Sequence, residues 1–266
     1  MMLKDSTVSP ENVVCTGITL GKPLLQLQLG HATAAVPGKN NEDFHGIVTP
    51  REEREAQTRG IAVAIADGVS GNGGGRLASE TAVKSLLRDF YGAPAIWNIT
   101  QALDKLLRSI NDWLLSENAR HPEYEGMVTT LTMIVFKGNY YHMAHVGDTR
   151  VYRRRADVLK QLTIDHTWER GDMRHVLKRA VGLDSHLVAD YTDGELIPGD
   201  VFLMVSDGIW EVLGERVVRE VMEGGGSTQS IAEELVERSI KNQVQYMGRN
   251  DATAVVIAVE EYSSGK

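Results

Sequence analysis

Residues 61–78 read IAVAIADGVSGNGGGRLA. Six apolar residues, Ile61 to Ala66, lead into Asp67, a glycine-rich loop follows, and a helical pattern opens at Leu77. A run this short and aliphatic suits a strand buried on both faces better than a helix, which needs a longer stretch. The strand then delivers the Asp67 carboxylate to an edge. Two functional readings start here. Gly73, Gly75 and Ala78 fit the dinucleotide fingerprint G-x-G-x-x-A, which seats a pyrophosphate at a helix N-terminus. The other reading makes Asp67 a metal ligand and uses the glycines to bring backbone close to a bound ion or phosphate. A surface loop after an ordinary strand is the plain alternative.

The chain around this stretch, 266 residues without a linker, supports one substantial core. One domain over 23–262 is expected, preceded by an irregular arm at 1–22 that carries Pro10, Gly17 and Gly21. A formal net charge of −8 argues against nucleic acid or an anionic membrane as the main partner. Bound metal ions can still give an acidic protein an anion site. Cys15 is the only cysteine, which excludes an intrachain disulfide and a cysteine-based zinc site and suits a reducing, cytoplasmic setting. The N-terminus lacks a signal-peptide core, and no stretch approaches the roughly 18 apolar residues of a membrane span.

Outward from the opening stretch, Leu25, Leu27 and Leu29 alternate with Gln26 and Gln28, the period of a strand with one buried face. Pro37-Gly38 is a turn, and Glu42 and Asp43 follow it; only one of two adjacent strand residues can face a given site. Residues 50–59 form a charged loop or short exposed helix. Helices are expected over Leu77–Tyr91 and through Leu103, Leu106, Leu107, Ile110 and Leu114, the second with Thr100 as its candidate cap. Two successive helices fit poorly with the parallel crossovers that a dinucleotide fold requires. Residues 129–136, 140–146, 150–154 and 158–163 read as strands joined by short turns, and therefore as an antiparallel meander. Residues 167–180 read as helical, Leu187–Asp193 as a strand, and Val201–Gly208 as a second buried strand ending in Asp-Gly. Helices over Glu215–Met222 and Thr228–Asn242 and a final strand, Ala252–Val259, complete the pattern.

Four aspartates share one context. Asp67 and Asp207 precede glycines after buried strands, Asp148 lies in a turn, and Asp251 precedes the last strand. Converged carboxylates about 4 Å apart repel by roughly 4 kcal/mol per pair at an effective dielectric of 20, so such a cluster requires cations. All-oxygen donors select hard ions, Mg²⁺ or Mn²⁺. Each aspartate by itself is equally at home as a turn or cap residue. H-E-x-x-H, G-x-S-x-G and the P-loop motif are absent. Ser206 has no recognisable base, and His142 and His145, three apart on a strand, face opposite sides.

In order, NNEDF (40–44), ADGVSG (66–71), TTLT (129–132), HVGDTRVY (145–152), LTIDHTW (162–168), VSDGIWEVL (205–213) and RNDATAVVIAV (249–259) resemble the successive motifs of the metal-dependent type 2C protein phosphatases, in their bacterial single-domain form. The resemblance implies an α+β, four-layer αββα sandwich of two antiparallel sheets flanked by helix pairs. It implies two Mn²⁺ or Mg²⁺ ions, with Asp67 bridging them, Gly68 ligating through its carbonyl, Asp207 and Asp251 completing the second ion and Asp43 acting through water. Asp148 and Glu211 would contribute to a third, weaker site. The implied reaction is hydrolysis of phosphoserine or phosphothreonine monoesters by a metal-bridging hydroxide. The implied partners are phosphorylated proteins, a serine/threonine kinase or its targets among them, acted on by a cytoplasmic monomer.

Three departures stand out. Where many members carry a phosphate-binding arginine this chain has Gly38, with Lys39 beside it supplying charge but no bidentate fork. Val69 replaces the histidine that some members use after the first Asp-Gly. The segment between His166 and Arg179 is short for the flap of bacterial members. A non-catalytic metal- or phosphopeptide-binding module of the same fold is the alternative that the first departure raises.

Overall fold

The computed structural model describes residues 13–15, 25–69, 74–94, 96–124, 126–168, 176–246 and 250–261. In chain order the elements are β1 (Val13–Cys15), β2 (Leu25–Ala34), β3 (Asp43–Val48), α1 (Glu53–Arg59), β4 (Ile61–Val69), α2 (Gly74–Gly92), α3 (Ile99–Arg120), β5 (Val128–Thr129), β6 (Leu131–Lys137), β7 (Tyr140–Val146), β8 (Arg150–Arg155), β9 (Val158–Gln161), β10 (Asp190–Glu195), β11 (Val201–Val205), α4 (Asp207–Glu223), α5 (Thr228–Tyr246) and β12 (Ala252–Glu261). One sheet has the order β1-β2-β12-β11-β8-β9 and the other β10-β7-β6-β4-β3, with β5 added to β4. Every strand pairing is antiparallel. That removes the dinucleotide reading, which needs parallel strands.

Strand β4 explains the layering. Ala62, Ala64 and Ala66 point to one face and pack with Ala78, Ala82, Leu86 and Leu103 of α2 and α3. Ile61, Val63 and Ile65 point to the other and meet Leu27, Leu29, Val255 and Ile257 of the facing sheet. Small residues on the helix side and branched ones between the sheets fill the two gaps. A third cluster joins Leu203, Val205 and Val256 to Val218, Val221 and Leu235 on α4 and α5. The result is the expected α+β sandwich of four layers. Leu25, Leu27 and Leu29 all face inward while Gln26 and Gln28 stay half-buried. A one-residue slip of β2 would reverse this, at a cost on the order of 5 kcal/mol, so the alternation locks the register.

Several expectations are corrected. The cap of α3 is Asn98, not Thr100: its Oδ1 accepts the Gln101 N–H at 2.8 Å and Gln101 Oε1 accepts the Asn98 N–H at 3.2 Å, a reciprocal box that Thr100 cannot form from inside the helix. The middle of the chain is not one meander. β6 and β7 form a hairpin, but the chain then turns at Gly147 (φ +114°) into the other sheet, where β8 pairs with β11. A short link forbids a parallel neighbour, yet it can still pass between two stacked sheets. β11 stops at Val205, and Asp207 is the first residue of α4, which the non-helical Gly214 (φ +72°) divides into an unexpected first part, 207–213, and the expected helix from Glu215. Within 167–180, residues 169–175 lie outside the described set; beside them Thr167 bridges Leu177, so the described part is not helical. β10 starts three residues later than expected and ends two later. From the expected irregular arm, Val13–Cys15 pair with Leu25–Leu27, and the rest of 1–22 lies outside the described residues. No described helix is long and apolar enough to cross a membrane.

Candidate metal centre

Sheet register makes the first contact of the site: β3 and β4 pair with Asp43 directly opposite Asp67. Such cross-strand neighbours share a face, and like charges there are unfavourable. Asp207 arrives on the first residue of α4, Asp148 on the turn that changes sheets, and Asp251 immediately before β12. A cavity of about 710 Å³ is lined by Asp67, Gly68, Asp148, Asp207, Asp251 and Lys39, with Glu42 and Asn250 beside them. Asp43, 3% exposed, is buried next to this group. Glu211 stands one turn beyond Asp207 on α4 and is reached by Asn250 Nδ2 at 3.4 Å. The expected residues are thus brought together at one end of the sandwich.

Polar neighbours aim these carboxylates. The Asp67 peptide is clamped by the Thr129 hydroxyl and Thr130 N–H, both donating to its carbonyl at 2.9 Å, while its own N–H donates to Thr130 Oγ1 at 2.8 Å. Ser206 Oγ donates to Asp43 Oδ2 at 2.7 Å and accepts the Thr253 N–H at 3.0 Å. That engagement closes the nucleophile reading of Ser206. Asp251 accepts the Glu42 N–H at 2.7 Å, and Asn250 Nδ2 donates to Asp207 Oδ2 at 2.9 Å. All of these supports lie inside motifs singled out from the sequence, but their roles as partners of the aspartates were not assigned there. Ser206 and Asn250 could have been noticed as polar neighbours of the aspartates, whereas Glu42 and Thr253 are recognisable only once the sheets are formed.

Electrostatics point the same way. Burial, with Asp207, Asp43 and Asp148 nearby, holds Asp67 well above the usual carboxylate range. Asp43 is raised likewise, by burial first and then by Asp207 and Asp251 against the opposing bonds from Ser206 and Thr253. Burial pushes Asp148 up to about 7 and Asp207 to about 6, the latter with help from Glu211. Asp43 Oδ1 is buried without a hydrogen-bond partner. An orphaned acceptor among mutually repelling carboxylates is a place that a cation would satisfy. Among the described residues no three His, Cys, Asp or Glu side chains are drawn into a closed ligand cage. The donors are all oxygen, and with the orphaned Asp43 Oδ1 they fit hard divalent ions held partly through water.

Close backbone packing keeps the aspartate-bearing segments together. A Cβ on Gly208 would lie 2.1 Å from the Asp251 carbonyl oxygen, and one on Gly68 would lie 2.1 Å from that of Gly75. Gly208→Ala is therefore expected to push α4 away from the approach to β12, separating Asp207 from Asp251. Unfolding midpoints in urea should fall by about 1–3 kcal/mol of stability, the usual cost of overpacking, and divalent-ion affinity should fall with them. Unchanged stability and affinity would contradict this contact.

Comparison with known proteins agrees with the geometry. The family model for protein phosphatase 2C matches residues 32–247. The serine/threonine protein phosphatase PstP of Mycobacterium tuberculosis is 28% identical over 237 residues, covering 83% of this chain and 45% of the relative, so the chain spans less than half of that protein. The serine/threonine phosphatase stp of Listeria innocua is 24% identical over 236 residues, covering 82% of this chain and 90% of the relative. Among solved structures, the catalytic domain of PstP in complex with two manganese ions superposes with a TM-score of 0.74 at 27% identity, covering 89% of this chain and 99% of that one. Stp1 of Staphylococcus aureus shares the fold, with a TM-score of 0.77 at 20% identity over 92% of this chain and 98% of its own.

Proposed function

Because the chain belongs to the protein phosphatase 2C family, we propose that it is a protein serine/threonine phosphatase dependent on Mn²⁺ or Mg²⁺, with residues 23–262 as its phosphatase domain. The observation that carries this reading is the meeting of Asp67, Asp148 and Asp207, from separate chain segments, at one cavity that also holds Lys39, with Asp43 buried beside them and all four pressed toward protonation by burial and by neighbouring carboxylates.

In this reading Asp67, the Gly68 carbonyl, Asp207 and Asp251 would hold two ions, Asp43 would contribute through water, and Asp148 with Glu211 would hold a third, weaker one. Bound there, the ions acidify water and offset the charge on the phosphoryl oxygens. The chain's own residues do the positioning. Ser206 holds one oxygen of Asp43, leaving Oδ1 to face the centre's charge. Thr129 and Thr130 fix the Asp67 peptide. Lys39 on the cavity wall offers a point charge to the phosphate. Val69 follows Gly68, so no side chain at that position protonates the leaving alkoxide, and solvent supplies that proton. Substrates are phosphorylated proteins, including a serine/threonine kinase or its targets, met by a monomer in the cytoplasm; the single cysteine suits that compartment.

The test is phosphate release from a phosphothreonine peptide by metal-stripped protein. Release is expected with added Mn²⁺ and none with excess chelator. Peptide binding without release in saturating Mn²⁺ would instead favour a non-catalytic module.

A further inference from the structure

Asp148, like Asp251, lies on neither strand nor helix. Contacts from elsewhere must therefore set its position. Trp210, three residues after Asp207 on α4, donates from Nε1 to the Asp148 carbonyl at 3.0 Å. The Arg150 guanidinium lies 3.5 Å from the centre of the indole ring. Arg150 is itself fixed, by Asp165 at 3.0 and 2.6 Å and by the Tyr152 hydroxyl at 3.2 Å. The turn is also gripped from its other side. Gly147 N–H donates to His166 Nδ1 at 3.1 Å, and the His166 N–H donates to the Gly147 carbonyl at 2.8 Å. His166 Nε2 then faces Asp190 at 3.2 Å, which assigns it the proton and leaves Nδ1 as the acceptor that Gly147 needs.

We propose that Trp210, backed by Arg150, is a positioning residue: a strut between the turn bearing Asp148 and the helix that begins at Asp207, which fixes the separation of those two carboxylates. Positions 207 and 210 are adjacent on one helical face, so the indole and the Asp207 carboxylate move together. Without the indole N–H, the Asp148 turn keeps its grip on His166 but loses its tie to α4. The ion that would suffer is the one that uses Asp148, while those resting on Asp67 and Asp251 would not. This inference rests on the metal assignment of the phosphatase reading.

The experiment is Mn²⁺ binding to the metal-stripped full chain by calorimetry, for wild type, Trp210→Phe, Arg150→Lys and Asp148→Asn. Trp210→Phe keeps a smaller aromatic ring under Arg150 and removes the N–H. It is expected to weaken about tenfold the binding class that Asp148→Asn removes, leaving tighter classes within about twofold, the range typical of outer partners of metal ligands. The Mn²⁺ needed for half-maximal phosphate release should rise in proportion. Arg150→Lys keeps the charge without the flat stack and should shift the same class in the same direction; it decides by the same criteria if Trp210→Phe does not fold. An unchanged weak class overturns the strut, and so does equal weakening of every class, which marks a general packing defect. Wild-type protein that binds no Mn²⁺ at all overturns the phosphatase reading together with the strut, whereas normal wild-type binding with an unaltered Trp210→Phe overturns the strut alone.

Discussion

Asp67→Asn and Asp207→Asn are expected to abolish metal-dependent hydrolysis of p-nitrophenyl phosphate, by on the order of a thousandfold, the scale of losing a charge-stabilising group at a reacting centre, while making the metal-free protein more stable. The two effects share one cause. In the metal-free protein burial and neighbouring carboxylates oppose ionisation of both aspartates. For Asp207 the rise from 3.8 to about 6 corresponds to about 3 kcal/mol of destabilisation of the ionised form at neutral pH. Asparagine has the same shape and no charge. Its oxygen can still accept from Asn250, which now donates to Asp207 Oδ2 at 2.9 Å, and its amide can donate toward Asp67. Urea melts in chelator at neutral pH should therefore show a gain of about 1–3 kcal/mol, against a total stability for a domain of about 5–15 kcal/mol. Full Mn²⁺-dependent activity in either variant would remove these residues from the centre. A loss of stability in chelator would show that the carboxylates do not strain the fold.

That strain between carboxylates also explains which parts of the molecule could be read from the sequence. The strands were legible because burial imposes a period: Leu25, Leu27 and Leu29 on one face, and Ile61 to Ala66 on two. The aspartates were legible as motifs because each occupies a turn or lies within two residues of an element end. The way they meet was not. Gly147 sends the chain into the opposite sheet, and nothing local distinguishes that turn from an ordinary hairpin, since both need a short polar link. The position of Asp207 at the start of α4 was obscured in the same way. Val201–Val205 is apolar enough to suggest that the strand continues, and only the extended backbone of Ser206 marks the change to helix. The supporting shell was the least legible. Trp210 meets Asp148 across 62 positions, and Ser206 meets Asp43 across 163. Hydrogen bonds over such separations depend on the finished sandwich, and neither residue type announces them.

Mn²⁺ is expected to raise the unfolding temperature far more at about pH 8 than at about pH 5.5, because the metal-free centre resists ionisation and the loaded one requires it. Asp148, raised to about 7, and Asp207, raised to about 6, still carry protons in the native state where the unfolded chain has already released them at 3.8. Asp43 and Asp67, held higher than usual by burial, act in the same sense. The native state binds more protons across this window, so the stability of the metal-free protein falls as pH rises from about 4 through about 7. Buried His145 has the opposite sign. Burial lowers it from 6.5 to about 4, with Thr132 at 2.8 Å from its Nδ1, so its contribution is lost as pH falls below 6.5. The four carboxylates outweigh this one imidazole, so the metal-free protein is most stable toward the acid end of the window, near about pH 4. Saturating Mn²⁺ takes up the ionised carboxylates and removes the alkaline decline, which moves the maximum upward. Thermal melts across pH, with Mn²⁺ and with chelator, measure both curves. A stabilisation by Mn²⁺ that is the same at both pH values would mean that the ion does not bind the carboxylates whose protonation limits the metal-free fold, whereas Asp148→Asn, which removes the carboxyl raised to about 7, should flatten the alkaline decline in chelator in either case.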